Sequence, residues 1–298
     1  FQSAFVPIES KTQQDSVPAK FISEIHTDTI KRRLELLNAK TPLSIVYNPI
    51  VEQYIRAYLK SRSASLETVM SRSRYYFPLF EEVFDREDVP LEIKYLAVVE
   101  SALRPTAKSA AGAKGLWQFM FSTAKHYNLE VSSYVDERFD PQRSTTAAAK
   151  YLKKLYSIFK DWDLALAAYN AGPGNVTKAI RRSGGHRSYW NIRPFLPKET
   201  ASYIPAIIAN LYLFEYASAH GFQPRKSQLL MAQTDTIRIQ KTIHFEHICE
   251  FLNIDMRLLK ALNPAYKLHT IPADEERNYV LRLPIDAIGK FVSKEAEI

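Results

Sequence analysis

Glu100 shares a stripe with Ile93, Leu96 and Ala97 in a stretch that opens at Pro90 and reads Pro-Leu-Glu-Ile-Lys-Tyr-Leu-Ala-Val-Val-Glu. A carboxyl on an apolar helix face loses hydration, and in the last turn it also meets the negative end of the helix dipole. Both effects favour its protonated form, and a carboxyl that keeps its proton near neutral pH can serve as a general acid. Read by itself the pattern also fits a solvated or salt-bridged glutamate, the commoner case. Gln118, in Gly115-Leu-Trp-Gln-Phe-Met120, is an isolated amide among large apolar groups. Its partners are either nearby backbone or a polar ligand. Tyr169 and Asn170 precede Gly172-Pro173-Gly174 and so sit at a helix end beside a tight turn. There they can face a cleft, or equally serve as a core tyrosine and a helix-terminating asparagine.

The elements that position these residues are read from apolar periodicity and turn chemistry. Ser109-Ala-Ala-Gly-Ala-Lys-Gly115 is too small and glycine-rich for a helix interior and reads as a tight loop. Upstream, helices are expected over 23–38, from an Asn48 cap through Val51, Ile55 and Leu59, and over 66–86 with an interruption near Pro78. Downstream, Ser122 is expected to cap a short helix ending at Asn128, and 134–141 is a loop whose Asp136, Glu137 and Asp140 make caps or ion pairs. Helices follow over 144–159 and 162–169. A further helix is capped by Asn175 and stopped by Gly184 and Gly185, and a last one covers 203–216. Residues 224–234 look like a linker. Beyond it, a strand near Thr236, helices at 245–252 and 256–262 and a strand at 279–283 give a β-α-α-β order. A cut near Gln228 is expected to break few contacts.

The chain has 298 residues, length for about two domains. Its formal charge of +8 implies acidic partners. Nucleic acid is not among those expected, since no basic run alternates with aromatics and no nucleic-acid motif is present. The cluster Lys178, Arg181 and Arg182 reads as a solvated helix face. Cys249 is the single cysteine, so no intramolecular disulfide can form, and it reads as a buried structural thiol. His244 and His247 have no accompanying ligand set, so neither a metal site nor another cofactor is expected. No apolar run is long enough to span a membrane. Phe1 in place of Met is consistent with a removed targeting peptide, which leaves room for a lipid anchor upstream.

Three motifs then carry a resemblance. Glu100-Ser101 with Ser109-Ala-Ala-Gly-Ala-Lys-Gly-Leu-Trp-Gln-Phe-Met120, then Ala168-Tyr-Asn-Ala-Gly-Pro-Gly174, then Glu199-Thr-Ala-Ser-Tyr203-Ile resemble the signatures of the soluble-type lytic transglycosylases, a lysozyme-like, murein-cleaving family (glycoside hydrolase family 23). The segments Tyr47-Asn-Pro-Ile-Val-Glu-Gln-Tyr-Ile and Ser73-Arg-Tyr-Tyr-Phe-Pro are similar to its membrane-bound D-type subgroup. The C-terminal pattern resembles a LysM murein-binding module, departing from it at Thr242-Ile-His-Phe245, where such modules usually have Gly-Asp-Thr-Leu.

The resemblance implies a mainly α fold: a lysozyme-like all-helical catalytic domain with a helical N-terminal belt, plus a small β-α-α-β LysM-like domain. The expected boundaries are a lead-in at 1–40, the transglycosylase domain at 41–225 with its catalytic core about 88–218, and the LysM-like domain at 232–290. It further implies that Glu100 serves as both acid and base, without the second carboxylate that ordinary glycosidases use. Ser109, Gln118, Met120, Tyr169, Asn170 and Tyr203 match positions that bind substrate, and Trp117 stands where the family often has Met. The implied substrate is the glycan strand of peptidoglycan, cleaved between N-acetylmuramic acid and N-acetylglucosamine to leave a 1,6-anhydromuramyl end. The implied setting is a periplasmic monomer, anchored to the outer membrane where a lipid is attached. A goose-type-lysozyme-like muramidase and a non-catalytic murein-binding protein remain open as alternatives.

Overall fold

A computed structural model describes residues 25–61, 63–224, 230–274 and 277–294. The fold is mainly helical, at 62%. The lead-in before residue 25 and most of the expected linker, 225–229, lie outside the described residues.

The N-terminal belt is α1 (Thr27–Asn38), α2 (Pro49–Ser61) and α3 (Ser63–Arg86). Asn48 caps α2 as expected, its Oδ1 accepting from the Ile50 and Val51 amides at 3.0 Å each. Pro78 does not interrupt α3, contrary to expectation. A proline inside a helix costs about 3 kcal/mol. Burial of Tyr76, Leu79, Phe80, Val83 and Phe84 around it offsets that cost, at about 1.5–3 kcal/mol for each large apolar side chain.

Pro90 opens a short 3₁₀ turn rather than an α-helical one, and α4 (Tyr95–Ser101) follows it. α4 is short because Ala102 and Leu103 both take left-handed conformations (φ 51° and 54°) that end it directly after Glu100-Ser101. Six of its residues, Tyr95, Leu96, Ala97, Val98, Glu100 and Ser101, are buried, so it runs through the core. Trp117 anchors the loop that follows. It is fully buried, its ring lies 4.8 Å from Phe80 and 5.5 Å from Phe84, and its Nε1 donates to Thr145 Oγ1 at 2.9 Å.

Then come α5 (Phe121–His126), α6 (Pro141–Phe159), α7 (Trp162–Ala171), α8 (Pro173–Arg182), α9 (Tyr189–Ile192) and α10 (Lys198–Glu215). Two expected caps are corrected. Met120, not Ser122, is the N-cap of α5. Gly172 precedes Pro173 at the start of α8, so Asn175 lies inside that helix and donates back to the Ala171 carbonyl at 2.8 Å. Proline at the first helical position outweighed the capping preference of asparagine. Asp140 caps α6 by accepting from the Arg143 amide at 2.7 Å, the kind of role the sequence assigned it.

A second core gathers around the C-terminal elements. β1 (Thr234–Arg238) pairs antiparallel with β4 (Val280–Pro284), and between them lie β2 (Ile243–His244), α11 (Phe245–Leu252), α12 (Met256–Leu262) and β3 (Thr270–Ile271). The small β2–β3 ladder and a last helix, α13 (Ile285–Lys294), were not read from the sequence. Cys249 is half-buried rather than buried.

The two cores are not loosely tethered, which corrects the expectation that few contacts cross the linker. The tip of the 131–136 hairpin inserts Val135, 1% exposed, into the second core. Cavities of about 210 and 240 Å³ lie along this seam, lined by Tyr75, Arg143, Arg282 and Tyr279 among others.

Candidate active site

Glu100 is 7% exposed. Burial pushes its carboxyl up to about 8. The Tyr203 hydroxyl, donating to Oε1, pulls the other way, and the like charge of Glu199 adds to the rise. Desolvation outweighs the single opposing bond from Tyr203 because almost none of the Glu100 surface reaches water. Burial thus favours the protonated form of Glu100.

α10 carries both Tyr203 and Glu199 and packs against α4. Tyr203 is buried, and burial together with the neighbouring Glu100 holds its phenol well above the usual range, so it donates rather than ionises. Tyr169, at the end of α7, is half-buried, and burial and then the Glu100 charge push its phenol well up. Its hydroxyl donates to the Trp117 carbonyl at 2.7 Å, tying α7 to the glycine-rich loop. Asn170 faces α10 instead. Its Oδ1 accepts from Thr200 Oγ1 at 2.7 Å, and its Nδ2 donates to Glu199 Oε1 at 3.4 Å.

The loop itself is built by its backbone. Ser109 Oγ accepts from the Ala113 amide at 3.0 Å, the Gly115 amide donates to Ala107 O at 2.9 Å, and Lys114 and Phe119 exchange backbone bonds at 3.1 and 3.0 Å. Gln118 sits in the left-handed region at φ 48° and is buried. Its Nε2 donates to Gly115 O at 2.8 Å, while its buried Oε1 has no partner among the described residues. The amide is therefore satisfied by backbone on its donor side and open on its acceptor side. Met120 is half-buried at the start of α5.

Glu100, Tyr203 and Tyr169 thus form one cluster. Gln118 joins it through the loop that Tyr169 holds, Asn170 stands one layer behind through Glu199, and Ser109 and Met120 belong to the frame of the loop. Two features were not read from the sequence. One is Glu199, which lies four residues before Tyr203 on the same helix, a spacing that puts the two on one face. The half-buried rings of Tyr127 and Tyr151 (5.3 Å) and of Tyr151 and Tyr169 (5.2 Å) form an aromatic row. Only its off-stripe place on α6 marks Tyr151. The exposed Lys178, Arg181 and Arg182 lie on α8, a solvated face as expected.

Among known proteins, residues 80–192 match the Transglycosylase SLT domain, and residues 233–298 match the Lytic transglycosylase MltD, LysM-like domain. Membrane-bound lytic murein transglycosylase D of Escherichia coli (strain K12) is 30% identical over 241 residues, 78% of this chain and 51% of that protein. The Soluble lytic murein transglycosylase of the same strain is 30% identical over 148 residues, 47% of this chain and 23% of that protein. The crystal structure of the 70 kDa soluble lytic transglycosylase from Escherichia coli aligns with a TM-score of 0.41 at 28% identity, covering 48% of this chain and 24% of that one. The chain spans about half the length of the D-type relative. The chain thus carries a Transglycosylase SLT domain around Glu100 and an MltD LysM-like domain behind it, the pair of domains of a lytic transglycosylase.

Proposed function

We propose that the chain is a lytic murein transglycosylase that cleaves the β-1,4 bond between N-acetylmuramic acid and N-acetylglucosamine of peptidoglycan without consuming water. The observation that carries this reading is Glu100, buried within the SLT domain and holding its proton up to about pH 8.

In this reading Glu100 gives its proton to the glycosidic oxygen, and the N-acetylglucosamine side leaves as the alcohol. The muramyl N-acetyl group stabilises the positive charge at C1. Glu100, now a carboxylate in surroundings that disfavour charge, takes the proton of the muramyl C6 hydroxyl, whose oxygen closes on C1. The 1,6-anhydro ring forms, Glu100 regains its proton and the atoms balance. Tyr203 steadies the carboxylate between the two transfers. Tyr169 and the aromatic row offer ring faces to the sugars, and Gln118 Oε1 is an acceptor for a sugar hydroxyl or amide. Asn170 holds Glu199, while Ser109 and Met120 shape the loop edge.

The cluster of Glu100, Tyr203 and Tyr169 is drawn from one chain, which suits a monomer. The net charge of +8 suits a polymer bearing carboxylates. The membrane-bound name of the D-type relative supports a periplasmic place at the outer membrane. No helix among the described residues is long and apolar enough to cross a membrane.

One observation favours a second reading. Glu199 is a carboxylate close enough to raise Glu100, and a second carboxylate can activate water, as in a goose-type muramidase. Mass spectrometry of digested murein separates the two. The proposal expects fragments one water lighter than hydrolytic products and resistant to borohydride. Reducible ends would mean a muramidase, and bound murein with no fragments would mean a binding protein.

Tyr203→Phe tests the steadying role. Losing one hydrogen bond is expected to cost about 0.5–1.5 kcal/mol of stability, whereas a bond to the charged carboxylate is worth about 1.5–3 kcal/mol, so turnover should fall roughly 10- to 100-fold. Because that bond lowers the Glu100 pKa, its loss should also move the alkaline limb of the rate profile upward. Equal small effects on melting and turnover would return Tyr203 to the core.

A further inference from the structure

Asp136 has no exposed surface, yet it takes no part in the chemistry above. Its carboxylate accepts from Arg138 Nε and Nη2 at 2.8 Å each and from Lys114 Nζ at 3.1 Å. Burial alone would push it up, but the bonds from Arg138 and Lys114 outweigh burial and hold it below the usual carboxylate range. It is therefore a buried anion with two cations committed to it, and removal of either side leaves an uncompensated charge.

What those cations hold is the active-site loop. Lys114 belongs to it, between Ser109 and Gln118, and Arg138 Nη1 reaches the Gly112 carbonyl at 3.4 Å. Gly115 lies so close to the backbone of Arg138 that no side chain fits between them. On its other side, the hairpin carrying Asp136 is held by the C-terminal domain. The Asp136 amide donates to Ala265 O at 2.9 Å, and the Lys267 amide donates to Tyr134 O at 2.7 Å, a two-rung antiparallel ladder between the domains. Lys267 Nζ donates to the Ser132 carbonyl. Glu130 Oε2, at the hairpin base, accepts from Arg277 Nη1 and the Tyr279 hydroxyl at 2.9 Å each. Val135 between them is buried in the second core. Backbone pairing, an apolar plug and a charged clasp together make a fixed joint; a module on a free tether needs none of them.

We propose that the C-terminal domain is a working part of the active site. By docking on the 131–136 hairpin it fixes Asp136, and Asp136 fixes the 107–119 loop through Lys114 and Arg138. Asp136 is a positioning residue, acting through the loop on Gln118 and on the Trp117 carbonyl that holds Tyr169 beside Glu100. This inference rests on the reading of Glu100 as the acid of a murein-cleaving site. It assigns the domain a role that does not depend on whether it also binds murein.

Two variants of the full chain cut the relay on either side of Asp136. Val135→Asp places a charge in the second core and undocks the domain. Lys114→Met leaves the domain docked and frees the loop. In both, hydrogen exchange of the 107–119 amides is expected to accelerate at least roughly tenfold while α10 keeps its protection. With water admitted beside Glu100, the alkaline limb of the rate profile on soluble murein fragments should move down by about one pH unit or more. A purely structural loss would lower the folded fraction and leave that limb in place. Unchanged exchange in the loop, or an unmoved limb in both variants, would overturn the inference. If the unaltered chain releases no fragments, the reading of Glu100 has failed instead, and the exchange data alone decide the relay.

Discussion

A chain carrying Glu100→Gln is expected to fold, to lose turnover by at least ~100- to 10,000-fold, and to melt higher than its parent at neutral and alkaline pH. The loss of activity follows from the chemistry. A general acid–base group contributes about that much in a single transfer, and here one carboxyl carries two. The gain in stability follows from linkage. Glu100 has an ordinary value of 4.5 in the unfolded chain and about 8 when folded. Below pH 4.5 both states hold the proton, so the carboxyl costs nothing. Between 4.5 and 8 the unfolded chain releases its proton while the fold keeps it, so stability falls as pH rises. Above 8 the cost is constant, on the order of 5 kcal/mol at 1.36 kcal/mol for each tenfold change in proton affinity. The buried NH₂ of glutamine offsets part of the relief at every pH. The checkable quantity is therefore the difference in melting temperature between variant and parent, which should widen from pH 5 to pH 8. A difference that stays flat would mean that the carboxyl is ionised in the fold at ordinary pH.

The second large effect is expected at a glycine. A Cβ built on Gly115 would lie 1.7 Å from the Arg138 carbonyl oxygen and 2.8 Å from its carbonyl carbon, and Gly115 has φ +83°. Neither partner is a flexible side chain, so one backbone must move. Gly115→Ala is expected to cost about 4 kcal/mol or more, in the range reserved for strained or overpacked sites. That corresponds to a fall of about 10 °C in melting temperature at about 2–4 °C per kcal/mol for a domain of this size. Activity should be lost with it, since Gln118 and the Trp117 carbonyl are placed by the same loop. Gly112→Ala is the control: φ is also positive, at +88°, but nothing stands within 4 Å of the added carbon. It should cost only about 1 kcal/mol. Melting of both variants by differential scanning calorimetry reads the contrast, and similar small shifts would mean that the 115–138 contact is loose.

The helices were legible because their apolar stripes are long and regular; α6 and most of α10 could be read from periodicity, although α10 begins at Lys198 rather than at the expected 203. Glu100 was legible as a carboxyl on such a stripe. Tyr203 was not, since the hydrogen bond that defines its role joins residues 103 positions apart, and only the motif resemblance flagged it. Errors came where two local rules competed. Pro78 read as a break because its cost is local, while the burial of Phe80 and Phe84 that helps offset it is against the distant Trp117 ring. Ser122 and Asn175 read as caps because the capping preference was weighed without the proline or the extended Met120 ahead of them. The docking of the C-terminal domain was illegible. Val135 stands in a segment with loop composition, and its burial comes from a core assembled by residues more than a hundred positions later. Glu199 lay ahead of the helix expected over 203–216, so its place four residues before Tyr203 on α10 emerged only from the structure.

The account rests on Glu100 keeping its proton inside the fold, and carbon-13 NMR of the glutamate side-chain carboxyls, with Glu100→Gln to assign the missing signal, reads that proton directly. The expected result is a carboxyl signal, missing from the Glu100→Gln spectrum, whose shift moves with a midpoint near pH 8. A Glu100 signal with its midpoint at the ordinary value of 4.5 would contradict the account, because the group would reach neutral pH as a carboxylate with no proton to give.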